Sequence, residues 1–168
     1  NLKNKKVIYY PTTLRTIKRF GPYIDMNLKN YLKLQKHIFD NLDSKVTIKL
    51  HPKDNTQKII RDFHGSNCNY SEINLYDSFK TCKVAIFDFP GTAFFEAIDN
   101  NIPVIFINNY QRKFPKFVLE KLKELCFIIN LDELNKLKSI NNLKINPNKQ
   151  NLFSQSLAKD IQPIDFYV

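Results

Sequence analysis

Residues 83–108 read KVAIFDFPGTAFFEAIDNNIPVIFIN. Val84–Phe87 is fully apolar, as a strand covered on both sheet faces must be. Phe89-Pro90-Gly91-Thr92 is a small-residue turn, Ala93–Asp99 has helical spacing, and Asn100-Asn101 ends it. Pro103–Ile107 is again strand-like, with Pro103 first, where a missing N–H is tolerated. Strand, turn, helix and strand in that order make a parallel βαβ unit. The turn then sits at the carboxyl edge of the sheet, where ligands of such folds bind. A helix start beside a glycine offers free N–H groups to a phosphate.

The pattern repeats outward. Strands are expected at Val7–Tyr10, Val46–Leu50, Cys68–Tyr70 and Phe127–Ile129. Helices are expected at Met26–Leu42, Thr56–Phe63, Leu75–Thr81, Phe117–Leu125 and Asp132–Leu137. In the helix at 56–63, Ile59, Ile60 and Phe63 are expected to face inward. Alternation of this kind predicts an α/β fold, a Rossmann-like three-layer α/β/α domain with a mainly parallel sheet of about six strands. Residues 1–168 read as one domain, with 141–168 a peripheral tail carrying a last helix at Gln150–Lys159.

Composition narrows the function. The chain has 168 residues, 43% of them hydrophobic, enough for a core and too apolar for disorder. Residue 1 is Asn and the single Met is Met26, so the chain reads as part of something longer. Asn1–Lys6 lacks the apolar stretch of a signal peptide, and no run of about 18 apolar residues is present to span a membrane. Cys68, Cys82 and Cys126 lack metal-ligand spacing and read as reduced, buried thiols of a cytoplasmic protein. No metal site is expected. The net charge of +10 is uneven: residues 1–70 hold 14 basic against 5 acidic side chains. Such a half attracts anions, a membrane surface among them, although no arginine-rich run or aromatic–basic repeat suggests nucleic acid.

Three segments follow strands and so meet at one sheet edge. Thr12, Thr13 and Arg15 supply two hydroxyls and a guanidinium suited to phosphate. His51-Pro52-Lys53 supplies a group able to donate to phosphate or move a proton, a fixed turn and a cation. In the opening stretch, Thr92 is expected to cap the helix and Gly91 to let a ligand approach the backbone. Asp88 is expected to orient the turn. Glu96, about one helical turn on, could hold the two hydroxyls of a ribose.

These residues resemble the carboxy-terminal, donor-binding half of GT-B fold transferases, above all the CDP-glycerol glycerophosphotransferases and related bacterial surface-polysaccharide transferases. The likeness rests on VIYYPTTLR (Val7–Arg15), IKLHPKD (Ile48–Asp54) and DFPGTAFFEAIDNNIPVIF (Asp88–Phe106), and it covers residues 5–108. It implies a nucleotide-activated donor, a CMP or CDP conjugate among the candidates, and no further cofactor. Thr12, Thr13, Arg15, His51, Pro52, Lys53, Pro90, Gly91 and Thr92 would line the phosphates, Glu96 would face ribose, Asp88 would support the turn, and His51 would be catalytic. Pro90-Gly91-Thr92 stands where the glycerophosphotransferases carry a Ser-Ser pair, and is closer to the Gly-Thr turn of nucleotide-sugar transferases. The resemblance also implies an acceptor domain preceding Asn1 and work at the cytoplasmic face of the membrane. Two other functions fit the residues: a nucleotide-sugar epimerase of similar architecture, and a non-catalytic basic module for nucleic acid or anionic membrane.

Overall fold

In the computed structural model, residues 5–13, 27–52, 54, 57–64, 68–109 and 113–142 are described. The elements run β1 (Lys6–Tyr10), α1 (Leu28–Phe39), β2 (Thr47–Ile48), α2 (Gln57–His64), β3 (Asn69–Tyr70), α3 (Leu75–Lys80), β4 (Cys82–Phe87), α4 (Thr92–Asp99), β5 (Val104–Asn108), α5 (Lys116–Leu125) and β6 (Phe127–Asn130). A 3₁₀ segment follows at Leu131–Asn142, where sequence spacing suggested a helix at Asp132–Leu137. Arg15, Lys53 and the expected last helix at Gln150–Lys159 lie outside the described residues.

The six strands form a single sheet in the order β3-β2-β1-β4-β5-β6, and every neighbouring pair is parallel. Alternation along the strands feeds two cores. Val7, Tyr9, Ile86 and Ile105 pack with Tyr31 and Ile38 of α1, Ile60 of α2 and Leu137 of the 3₁₀ segment. Ile8, Tyr10, Phe87 and Phe106 pack on the other face with Phe79 of α3, Phe94 and Ile98 of α4 and Leu122 of α5. This is the expected three-layer α/β/α architecture. Burying both faces explains why Val84–Phe87 of β4 and Val104–Ile107 of β5 read as unbroken apolar runs.

Helix α2 departs from expectation. Ile60 is fully buried, but Ile59 and Phe63 are 44% and 46% exposed. Ile59 and Phe63 are four residues apart and share one helix face. The helix rests on Ile60 instead, which turns that face outward. Phe63 keeps an edge-on contact with His64, ring centroids 5.1 Å apart.

The register of β1 on β4 sets Tyr9 beside Ile86 and Tyr10 beside Phe87. The Tyr10 and Phe87 rings stack at 5.0 Å. Both strands therefore end at one level, and the chains leaving them emerge side by side.

Candidate functional site

From β1 the chain moves outward to β2 and β3; from β4 it moves the other way to β5 and β6. The loops leaving β1 and β4 thus diverge at their carboxyl ends. The crevice opened by such a reversal is where open α/β sheets take ligands.

A buried carboxylate joins the two loops. Asp88 is 2% exposed. Its Oδ1 accepts from the Thr12 amide at 2.7 Å and the Thr12 hydroxyl at 2.8 Å, and its Oδ2 accepts from the Tyr9 hydroxyl at 3.0 Å. The Asp88 carbonyl accepts from Asn109 Nδ2 at 3.3 Å, which brings in the loop after β5. Burial pushes the Asp88 carboxyl up to about 6, although the Thr12 and Tyr9 donors pull the other way. From α1, the Tyr31 hydroxyl donates to the Thr12 carbonyl, and Gln35 Nε2 donates to the Tyr31 hydroxyl at 2.6 Å.

The turn after β4 feeds α4 through Gly91, which is the N-cap in place of the expected Thr92. Gly91 is extended, and its carbonyl accepts from Phe94 N at 3.0 Å and Phe95 N at 3.4 Å. Thr92 is thereby drawn into the first helical position, where its side chain makes no capping bond and is exposed. Among the described residues, the Thr92 and Ala93 amides have no backbone acceptor, as the first amides of a helix must. At φ −90° the Gly91 backbone suits any residue. An added Cβ would meet only the Phe89 ring, at 3.6 Å, so the space over the backbone is open. Glu96 is exposed on α4, one turn further on, while Phe94, Ala97 and Ile98 anchor the helix.

After β2, His51 and Pro52 are exposed. The His51 carbonyl accepts from Asp54 N at 2.9 Å and from Gln57 Nε2 at 2.5 Å, which fixes this turn against the start of α2. Among the described residues no group of His, Cys, Asp and Glu could hold a metal ion, and no helix is long and apolar enough to cross a membrane. Cys82 and Cys126 are buried and Cys68 partly so. Burial raises all three thiols, Cys82 to about 12.

Residues 3–126 match the sequence profile described as LIC12162 family transferase. The chain belongs to the LIC12162 family of transferases. No curated protein matches it. Solved structures share its fold. The catalytic domain of a cholesterol-α-glucosyltransferase from Helicobacter pylori is 14% identical over 91% of this chain and 98% of its own, with a TM-score of 0.56. The wall teichoic acid polymerase TagF is 15% identical over 98% of this chain, with a TM-score of 0.52; the match spans 40% of the TagF chain. The C-terminal domain of WaaA from Acinetobacter baumannii is 14% identical over 94% of this chain and 90% of its own, at 0.50. At these identities the likeness concerns the fold alone, a Rossmann-like α/β/α domain that this chain shares with these transferase structures.

In this LIC12162 family chain, Thr12, Thr13, Asp88, Pro90 and Gly91 lie on the two loops that part at the crevice, and Thr92 opens α4 directly after the second. His51 and Pro52 follow the neighbouring strand β2, and Glu96 lies on α4. Thr12 differs from expectation in one respect: it is buried, and its hydroxyl and amide are committed to Asp88. It braces the loop, and the partly exposed Thr13 follows it. Sequence reading did not single out Tyr9, Tyr31, Gln35, Asn109 or Lys49. Tyr31 and Gln35 carry a usable signal, because they stand four apart on the apolar stripe of α1, where a polar side chain needs a partner.

Proposed function

We propose that the crevice between β1 and β4 is the donor-nucleotide site of a GT-B glycosyltransferase or polyol-phosphate transferase of bacterial surface-polysaccharide assembly. The observation that carries this reading is the meeting of the β1 and β4 loops, fastened through Thr12 and Asp88, beside the open amides at the start of α4. A helix start whose amides lack acceptors favours phosphate oxygens. Two neighbours support a cytidine donor: the WaaA domain is described as CMP-Kdo binding, and one TagF structure was soaked with CDPG.

Each chemical role follows from position. The Thr92 and Ala93 amides and His51 would meet the donor phosphates, with Thr13, Pro52, Pro90 and Gly91 shaping the same edge; Arg15 and Lys53, which lie outside the described residues, are assigned to the phosphates from the sequence alone. Glu96 would hold the ribose hydroxyls. In the reaction, the bond from the transferred group to the nucleotide phosphate breaks and its electron pair leaves with the phosphate. The acceptor hydroxyl oxygen bonds the transferred group and gives up its proton. Catalysis here would rest on stabilising the charge that grows on the departing phosphate, with His51 able to supply a proton to it. The acceptor site would belong to a second domain that completes the cleft, at the cytoplasmic face of the membrane. No cofactor beyond the donor is required.

Thermal melts with CMP, CDP, UDP, GDP and TDP test the reading. A nucleotide held in the site at 100 times its Kd stabilises the folded state by about 2.7 kcal/mol. His51→Ala and Glu96→Ala should shrink that shift. No response of the full-length protein to any of the five would sink the proposal.

A further inference from the structure

A buried lysine beside the crevice is not accounted for by the fold. Lys49 follows β2 directly and is 8% exposed. Val46, Ile48 and Leu50 all belong to the core on the α1 side, so alternation sends Lys49 to the other face of the sheet. That is the face on which α4 packs. The Lys49 amide donates to the Tyr9 carbonyl at 2.8 Å, which continues the β1–β2 register and sets Lys49 level with Tyr10, itself paired with Phe87 of β4. Two strand spacings, about 10 Å, therefore separate its backbone from the strand that leads into α4.

Among the described residues, the one hydrogen bond of the Lys49 ammonium goes forward to the Leu50 carbonyl, at 3.1 Å. No carboxylate among the described residues lies in ion-pair contact with it. Glu72 acts only at a distance, and its Oε1 is taken by Arg61. An ammonium has three donors and needs a counter-charge when buried. Burial accordingly lowers the Lys49 pKa, with Glu72 partly opposing. A buried cation at this strand end, whose one acceptor among the described residues is a neutral carbonyl, suits an anionic ligand in the neighbouring crevice.

We propose that Lys49 is a phosphate-binding residue of the crevice, supplying the buried positive charge for a diphosphate whose other end rests on the α4 amides. This deepens the donor-site reading and rests on it for the nucleoside, though the anion site can be tested without one. Pyrophosphate, CDP and cytidine are titrated against the full-length protein and against Lys49→Met, which keeps the stem and removes the charge. The expected result is a Kd for pyrophosphate and CDP weakened about ten- to hundredfold, with cytidine unchanged and the ligand-free melt no lower than that of the native protein.

Equal affinities in the two proteins overturn the role of Lys49 and leave the donor site standing. Parallel loss of CDP and cytidine also overturns it, since that is the mark of a general collapse of the pocket. Pyrophosphate that binds the native protein and not the variant, with CDP and cytidine adding nothing, upholds Lys49 and removes the nucleotide reading. Failure of the native protein to bind pyrophosphate and CDP overturns both. If Lys49→Met does not fold, Lys49→Gln is read by the same criteria.

Discussion

Thr12 and Asp88, 76 residues apart in sequence, are joined by two hydrogen bonds to a single carboxylate oxygen, one from the Thr12 amide and one from its hydroxyl. This link fixes the spacing of the loops that leave β1 and β4, and so the width of the crevice between them. Tyr31 extends it to α1 by donating to the Thr12 carbonyl, and Asn109 extends it to the end of β5. The first prediction is structural. Asp88→Ala leaves the Thr12 amide, the Thr12 hydroxyl and the Tyr9 hydroxyl buried without their acceptor. At about 1–3 kcal/mol for each unsatisfied group, a loss of at least 3 kcal/mol is expected in urea unfolding. A loss under about 1 kcal/mol would mean that water replaces the carboxylate, and that the link is not rigid.

The second prediction concerns pH. Burial raises the Asp88 carboxyl in the folded protein to about 6 from 3.8. Between those values the folded state binds the proton more readily than the unfolded chain. The contribution of Asp88 to stability is therefore full below about pH 4 and is lost as pH rises through 6. About two pKa units correspond to about 3 kcal/mol. Asp88→Asn keeps an oxygen for Thr12 and cannot ionise. Denaturant melts of the native protein minus those of Asp88→Asn, taken at pH 4, 5, 6 and 7, should trace this slope. A flat difference would place the Asp88 pKa near its ordinary value.

His64 works in the opposite sense. Its ring packs on Phe39 with centroids 4.1 Å apart, and its buried Nε2 has no hydrogen-bond partner among the described residues. Burial first, and Lys36 second, depress its pKa to about 4, with Asp40 opposing. The stability this group contributes is present above pH 6.5 and is lost as pH falls toward 4. His64→Leu should remove about 1–2 kcal/mol of acid sensitivity in that window, the larger nominal value being reduced by solvent at this partly buried site. Melts at pH 7 and 4.5 decide it: an unchanged pH slope would show that the imidazole is protonated in the folded state.

The extent to which all this could be read beforehand follows the physics of each signal. The apolar parts of β4 and β5, Val84–Phe87 and Val104–Ile107, were legible because burial on both faces leaves them no polar residue to confuse the period. The strand ends converge by topology alone, so Thr12, His51 and Gly91 could be placed at one edge before any coordinates. Pairwise geometry was not legible. Nothing local says that the Thr12 hydroxyl turns inward to Asp88, or that the chain caps α4 with Gly91 one residue before Thr92. Ile59 and Phe63 misled because a short amphipathic helix offers two apolar faces, and only contact with the sheet selects Ile60. Lys49 was hidden by its own type: a lysine in a half-polar strand reads as solvated, and burial against the sheet is a tertiary fact.

Glu96 separates ligand binding from folding. Its side chain is exposed on α4, and the residues that anchor this helix are its neighbours Phe94, Ala97 and Ile98. Substitution at such a position shifts stability by no more than about 0.5 kcal/mol. If Glu96 accepts from the ribose hydroxyls of the donor, two charge-assisted bonds are at stake, and Glu96→Ala should cost about 1.5–3 kcal/mol in binding a ribonucleoside diphosphate. The 2′,3′-dideoxy analogue lacks both hydroxyls, so its affinity should be the same for the native protein and the variant. Calorimetric titration of both ligands into both proteins closes the cycle. A loss shared equally by ribose and dideoxyribose ligands would assign Glu96 an effect on the helix start and none on the sugar. No loss with either would place the ribose elsewhere along the edge.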